Sequence, residues 1–357
     1  MAEEDLPIAL DPVRLATWCV IVAALLATLI IGKALLIPLA IAILLWVLLD
    51  AIRGAMIRWA PGNRSMPRGL ATLLAILLTL AGNYVVVWII LAQAEAFTAA
   101  LPAYQANLET LMGRGAALLG LDDLPTTASV LNQIDYQPLL AVVSDSIGSL
   151  ISSIALILIF LGFLLAEESI LPEKLTRLQS DPEKSARLQR VILDISTTVQ
   201  RYVGMKTGVS LLTGIVSYAV LAWVGVDFAA LWGLLIFLLN FIPNIGSVLG
   251  VVFPALLALV QFDTLTPFLI IVGGLGAVQF IIGNILEPAF MGRTLNMSSL
   301  MILMSLTFWG LIWGLPGMFL SVPMMVVTGI VCANIKGLSW FSVVLSGDGR
   351  LVTDHRQ

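Results

Sequence analysis

Two long apolar stretches in the C-terminal half, Phe228 to Val260 and Leu300 to Ile335, contain no charged residue, and each is broken near its middle by proline and glycine. At roughly 33 to 36 residues, each is longer than the ~20 residues one helix needs to cross a bilayer and shorter than two crossings with a turn. That intermediate length predicts a helical hairpin that enters the membrane and leaves on the same side. The breaks read Phe241-Ile242-Pro243-Asn244-Ile245-Gly246 and Trp313-Gly314-Leu315-Pro316-Gly317. Backbone freed at that depth is tolerated only where protein or a watery cavity satisfies it. Interrupted segments at matching places in two halves are the arrangement on which secondary transporters build their sites.

Hydrophobic residues make up 59% of the chain and charged residues 11%, against about 25% charged in a soluble domain. The chain is therefore expected to be a polytopic membrane protein. Cys19 and Cys332 both lie in apolar runs, so they predict no disulfide framework. His355 is the single histidine and sits in a polar tail, which excludes histidine-based metal sites and general bases. There is no glycine-lysine-serine/threonine phosphate loop, no His-Glu-x-x-His zinc motif and no serine nucleophile elbow. Neither catalysis, a metal, a cofactor nor a nucleic-acid partner is expected.

Charge placement orients the chain. Leu15 to Ile31 follows Glu3, Glu4 and Asp5, not a basic leader, and reads as a retained helix. Leu35 to Leu49 then forms the second arm of a tight pair around Lys33 and Pro38. Arg53, Arg58, Arg64 and Arg68 crowd the next loop, which places that loop and the N-terminus in the cytoplasm. A third helix, Gly69 to Leu91, leads to an outer region, Gln93 to Ser146, that is rich in Asp and Glu. There Phe97, Leu101, Tyr104, Leu108 and Leu111 recur at helical spacing, predicting an amphipathic extension of the third helix across Pro102 and a face that packs on a neighbour.

A fourth crossing, about Leu139 to Ala166, returns to a basic segment that carries Lys174, Arg177, Lys184, Arg187, Arg190, Arg201 and Lys206. Ser180-Asp181-Pro182-Glu183 has capping-box spacing, and the stripe Leu188, Val191, Ile192, Ile195, Val199 and Tyr202 predicts an amphipathic helix. Thr207 to Gly225 crosses outward and Leu265 to Leu286 crosses inward. The first broken stretch thus dips from outside. The second lies between Arg293 and Lys336 and dips from the cytoplasm, an inverted arrangement. The chain divides into an N-terminal transmembrane pair (1–52), a basic loop with the third helix (53–91), the outer region (92–147), the fourth helix with the amphipathic helix (148–206), a transport core (207–336) and a cytoplasmic tail (337–357). The expected fold class is all-α, with about six full crossings plus two re-entrant Pro/Gly-broken hairpins.

Gly246 with Gly250, and Gly310 with Gly314, are small-residue pairs that let hairpin arms approach closely. Asn240 and Asn244 flank Pro243, and Gln279 and Asn284 precede Glu287-Pro288. Amides at such depth hydrogen-bond a polar solute or an ion, or else cap backbone freed at the breaks. Glu287 ends a long apolar helix as a proton or cation site, or as an interfacial acid paired with Arg293 or another cation.

At these residues the chain resembles the autoinducer-2 exporter family of permeases of bacteria and archaea. Phe241-Ile242-Pro243-Asn244-Ile245-Gly246, continuing through Gly250 and Pro254, is similar to the family's Phe-Ile-Pro-x-hydrophobic-Gly motif. Glu287-Pro288, Gly292, Gly314, Gly317 and Pro323 resemble its second signature. Ser247 and Ser299 stand where members commonly carry proline. The resemblance implies a multi-pass carrier of the inner membrane and a homo-oligomer with five subunits as the candidate number. Its members are linked to export of autoinducer-2 and to sodium/proton exchange. The expected pathway residues are Asn240, Pro243, Asn244, Gly246, Gln279, Asn284, Glu287, Pro288, Gly314, Pro316 and Gly317. The leading reading is outward transport of a small polar solute, with cation/proton antiport and a non-transporting membrane scaffold as its rivals.

Overall fold

The computed structural model describes residues 12–58, 66–119, 137–171, 173–174, 182–291, 297–335 and 337–349. Within them every regular element is helical. In order these are α1 (Pro12–Ile31), α2 (Lys33–Arg58), α3 (Arg68–Leu119), α4 (Gln137–Glu167), α5 (Pro182–Val224), α6 (Ala229–Leu239) and α7 (Ile245–Gln261). Then come α8 (Thr266–Ile281), a π-helical turn (Ile282–Leu286), α9 (Glu287–Met291), α10 (Ser299–Trp313), α11 (Leu315–Asn334) and α12 (Ser339–Leu345). Among the described residues five helical runs are long and apolar enough to cross a membrane: Lys33–Arg58, Arg68–Gln93, Glu183–Val224, Thr266–Phe290 and Leu315–Asn334. Ser180-Asp181, Arg64, Gly292, Arg293, Lys336 and the acidic Asp122, Asp123 and Asp135 lie outside the described residues.

α5 organises the molecule. Its 43 residues give a rod of roughly 65 Å, where the sequence predicts an amphipathic helix followed by a separate crossing. No proline falls after the first position, so nothing interrupts the hydrogen-bond ladder. The rod stops at Gly225, whose φ of 82° is open to glycine. The Val226 N–H donates to the Leu221 carbonyl at 2.9 Å and the Gly225 N–H to that of Ala222 at 3.2 Å. These are the paired bonds of a Schellman motif, and Val226 packs in one cluster with Leu221.

The two broken stretches become helix pairs within a residue of the expected bounds. α6 packs on α7, and α10 on α11. The ends of the first pair remote from its break are tied by one side chain: the Gln261 amide donates to the Gly225 carbonyl and accepts from the Asp227 N–H, both at 2.8 Å. Gln261→Leu removes both bonds where water reaches their partners, so a stability loss of about 1 kcal/mol is expected. Thermal unfolding in detergent measures it, and an unchanged midpoint would show that the tie contributes nothing.

α3 runs unbroken for 52 residues, and its extension beyond the apolar part docks on this mouth. Tyr104 donates to Asp227 at 2.6 Å and Asn107 to the Gln261 carbonyl at 3.4 Å. The rings of Phe97 and Tyr104 meet Phe228 edge-on at 5.7 and 6.3 Å. Phe228 adopts a left-handed φ of 59°, uncommon for an aromatic residue, and these rings hold it there. Burial and the hydrogen bond to Asp227 push the Tyr104 phenol above its ordinary value, so it keeps the donating proton. The neighbour predicted for the amphipathic face is thus the chain's own first helix pair.

Two apolar bodies share α5. One gathers Leu221, Ile236, Ala255, Ala258, Ile271 and Leu275 from α5 to α8. The other gathers Leu44, Val47, Val203, Leu320, Val326 and Ile330 from α2, α5 and α11. At the end of α2, Arg53 pairs with Asp50 and, at 2.8 Å, with Glu168 of the segment after α4, while Gln200 of α5 donates to Asp50. The sequence alone suggests a loop at Arg53 and Arg58. Both arginines instead lie inside α2, which absorbs Pro38 and runs 26 residues.

Candidate functional site

The second helix pair meets α5 at the end opposite to the first. Arg187, near the start of α5, donates to the Asn334 carbonyl at the close of α11 at 2.6 Å. The Ser298 N–H, at the start of α10, donates to the Leu345 carbonyl of α12 at 3.0 Å, and α12 packs on α11. The bases of the two pairs therefore sit at opposite ends of α5, and their breaks point toward each other. Phe241, in the first break, and Phe319, in the first turns of α11, bring their ring centroids to 4.6 Å.

Each break is built differently. In the first, Asn244 has φ 62° and ψ −51°, and the Ile245 N–H donates to the Pro243 carbonyl at 2.7 Å. This is a γ-turn of the rare, strained hand. It lets α7 start against the end of α6: a Cβ on Gly246 would lie 1.8 Å from the Leu239 carbonyl oxygen. In the second, the break is the single residue Gly314, with φ 65° and ψ −143°, a region essentially restricted to glycine. A Cβ on Gly317 would lie 2.0 Å from the Trp309 carbonyl oxygen. The close-approach glycine of this pair is thus Gly317 together with Gly310, while Gly314 supplies the bend. Trp313 donates its indole N–H to the Leu29 carbonyl at 3.0 Å, fixing the tip to α1.

The polar residues do not all converge. Asn240 is buried at the first tip and donates to Ser210 Oγ of α5 at 3.0 Å. Gln279 is buried on α8, its amide nitrogen over Gly250 of α7. Glu287 forms an ion pair with Lys206 of α5 at 2.5 Å, four residues before Ser210. Pro243 and Pro316 are half-buried at the tips, whereas Asn244, Asn284 and Pro288 are exposed. Asn284 donates back to the Phe280 carbonyl at 3.2 Å. It lies inside the π-helical turn, whose extra residue rotates the next turns of helix by about 100° relative to an unbroken α-helix. Glu287, read from the sequence as a proton or cation site or as an acid paired with a cation, is here paired with Lys206.

Sequence reasoning missed Lys206 and Ser210 because Lys206 counts there as one more cytoplasmic cation. A signal was present: Tyr202, Lys206, Ser210, Thr213 and Ser217 recur at spacings of four and three. All five are buried. Taking a charge pair out of water is expensive, and Lys206 is 4% exposed, so this pairing is a feature to be explained.

A family model described as AI-2E family transporter matches residues 19–337. The AI-2 transport protein TqsA of Escherichia coli K12 is 32% identical over 319 residues, covering 87% of this chain and 89% of that protein. A candidate transport protein of Borreliella burgdorferi is 34% identical, covering 69% of this chain and 68% of its own. One of Haemophilus influenzae is 32% identical, covering 79% and 83%. The chain belongs to the AI-2E transporter family.

Proposed function

We propose that this AI-2E family member is a secondary carrier of a small polar solute, with its two broken helix pairs acting as re-entrant gates from opposite faces of the membrane. The observation that carries the reading is the meeting of Phe241 and Phe319 at 4.6 Å while the bases of the two pairs lie at opposite ends of α5. In the first pair α6 and α7, with 11 and 17 residues, reach roughly 16 and 25 Å, short of a hydrocarbon core of about 30 Å; in the second, α10 with 15 residues is short as well, while α11 with 20 is long enough to span. The arrangement is that of a closed carrier: separating the tips toward one base opens the centre to that side only. The solute is autoinducer-2 or a close chemical relative, in keeping with the activity named for TqsA, and net movement is outward. The basic ends of α2 and α5 face the cytoplasm, and the exposed apolar faces of α1 and α3 meet lipid and other copies of the chain.

The rival readings fit less well. In a cation/proton antiporter built on Glu287, a cation has to compete with Lys206 for the carboxylate. A scaffold would use closed tips too, but it has no need of a strained γ-turn at Asn244 or a buried ion pair, both of which cost stability. Everted vesicles test the proposal: autoinducer-2 accumulates with the wild type. Asn240→Leu, which leaves Ser210 without its partner, lowers the rate by about tenfold, the equivalent of one lost buried hydrogen bond. Vesicles with wild-type protein that take up no autoinducer-2 beyond empty ones reject it.

A further inference from the structure

We propose that the buried polar seam of α5 lines the passage and binds a solute with hydroxyl or carbonyl groups and no net charge; this rests on the carrier reading above and names the ligand chemistry of its site. Tyr202, Lys206, Ser210, Thr213 and Ser217 fall within an arc of about 80° and span roughly 22 Å along the helix. That is most of a hydrocarbon core. The seam runs from the apolar body holding α11 to the body holding α6 through α8, crossing between them where Lys206 meets Glu287 and Ser210 meets Asn240.

Small residues on a membrane helix also serve close packing, and Gly214 illustrates this, since its Cβ position lies 2.8 Å from the Gly233 carbonyl oxygen. Ser217 does something else. Its side chain is fully buried, yet its hydroxyl has no hydrogen-bond partner among the described residues. A hydroxyl left that way costs free energy, whereas alanine would pack equally well. It is a donor and acceptor held ready on the seam. Thr213, by contrast, is satisfied by the Val209 carbonyl at 2.8 Å.

The charge of the ligand is set by the ion pair. Lys206 and Glu287 neutralise each other, so the wall carries hydroxyls, an amide and no net charge. A cation would have to displace Lys206 and an anion would have to displace Glu287. A neutral polyol or hydroxy-carbonyl compound displaces neither, and it exchanges its water hydrogen bonds for those of Ser210, Asn240 and Ser217.

Two measurements test this. In a Cys19→Ala/Cys332→Ala background, the Ser210→Cys and Ser217→Cys variants are treated in membranes with a hydrophilic thiol reagent, beside the outward-facing Leu211→Cys and Leu212→Cys. The thiolate reacts only where water reaches it, so the seam positions are expected to label at least about tenfold faster than the outward-facing ones. In transport, Ser210→Ala and Ser217→Ala, which keep volume and remove the hydroxyl, are expected to raise the half-saturating autoinducer-2 concentration by about tenfold. Excess ribitol competes and levulinate, a carboxylate of similar length, does not. Seam cysteines that label no faster than the outward-facing ones overturn the proposal and leave a dry packing stripe. Alanine variants with wild-type saturation, or levulinate competing as well as ribitol, overturn it too. A wild type that moves no autoinducer-2 rejects the carrier reading instead, and the labelling comparison still decides the seam.

Discussion

Gly317→Ala is expected to yield no correctly folded protein in detergent extracts, whereas Gly310→Ala in the same helix pair is tolerated. The contrast comes from what each new methyl group would meet. At Gly317 it would lie 2.0 Å from the Trp309 carbonyl oxygen and 2.9 Å from Trp313 Cβ. Those atoms belong to α10 itself and cannot swing aside, so the two arms must separate along the contact that defines the pair. At Gly310 the nearest atom, 2.8 Å away, is the terminal methyl of Met318, the far end of a flexible chain. Ordinary overpacking costs about 1 to 3 kcal/mol, and a backbone collision belongs at or beyond the upper end. Gly246→Ala, 1.8 Å from the Leu239 carbonyl oxygen, should behave like Gly317→Ala. Size-exclusion profiles of the extracts provide the measurement. A monodisperse Gly317→Ala peak of wild-type height would mean that α10 and α11 do not pack as described.

The second large effect is expected at the ion pair. Glu287→Met leaves the ammonium of Lys206 buried without a counter-charge, and orphaning one member of such a pair costs about 3 to 5 kcal/mol. Lys206→Met should cost less, because the Glu287 side chain is 23% exposed against 5% for Lys206 and water can partly solvate the carboxylate. The double variant Lys206→Met/Glu287→Met removes both charges and should recover most of the loss, since buried pairs replaced by apolar side chains are often neutral in stability. Thermal unfolding of the purified variants in detergent separates these cases. Equal losses in the two single variants and the double would show that the pair is not what joins α5 to α9.

The same pair marks the limit of what could be read along the chain. Glu287 was legible as a residue of interest because a lone acid at the end of an apolar run is costly. Its partner stands 81 positions earlier and looked like one more basic residue on the inner side. Only the packing of α5 against α9 separates Lys206 from Arg187 and Arg190, which remain exposed. Asn284 shows the opposite error. It was a candidate on the same footing as Gln279, yet it lies five residues on, about 140° around an α-helix, within the π-helical turn, and its exposed side chain bonds its own backbone.

By itself the sequence determined that this chain is a helical membrane protein with two interrupted stretches. Apolar runs of that length have one solvent they can occupy, and the proline and glycine clusters around Pro243 and Gly314 disfavour an unbroken helix there. Those are local properties, set by hydration and by backbone sterics within a few residues. Which ends of the two stretches share a helix, which glycine meets a carbonyl oxygen and which cation answers Glu287 were decided by the tertiary structure alone. Such contacts join residues up to hundreds of positions apart, as Trp313 and Leu29 are, and the geometry that selects them exists only once α5 has been packed from both ends.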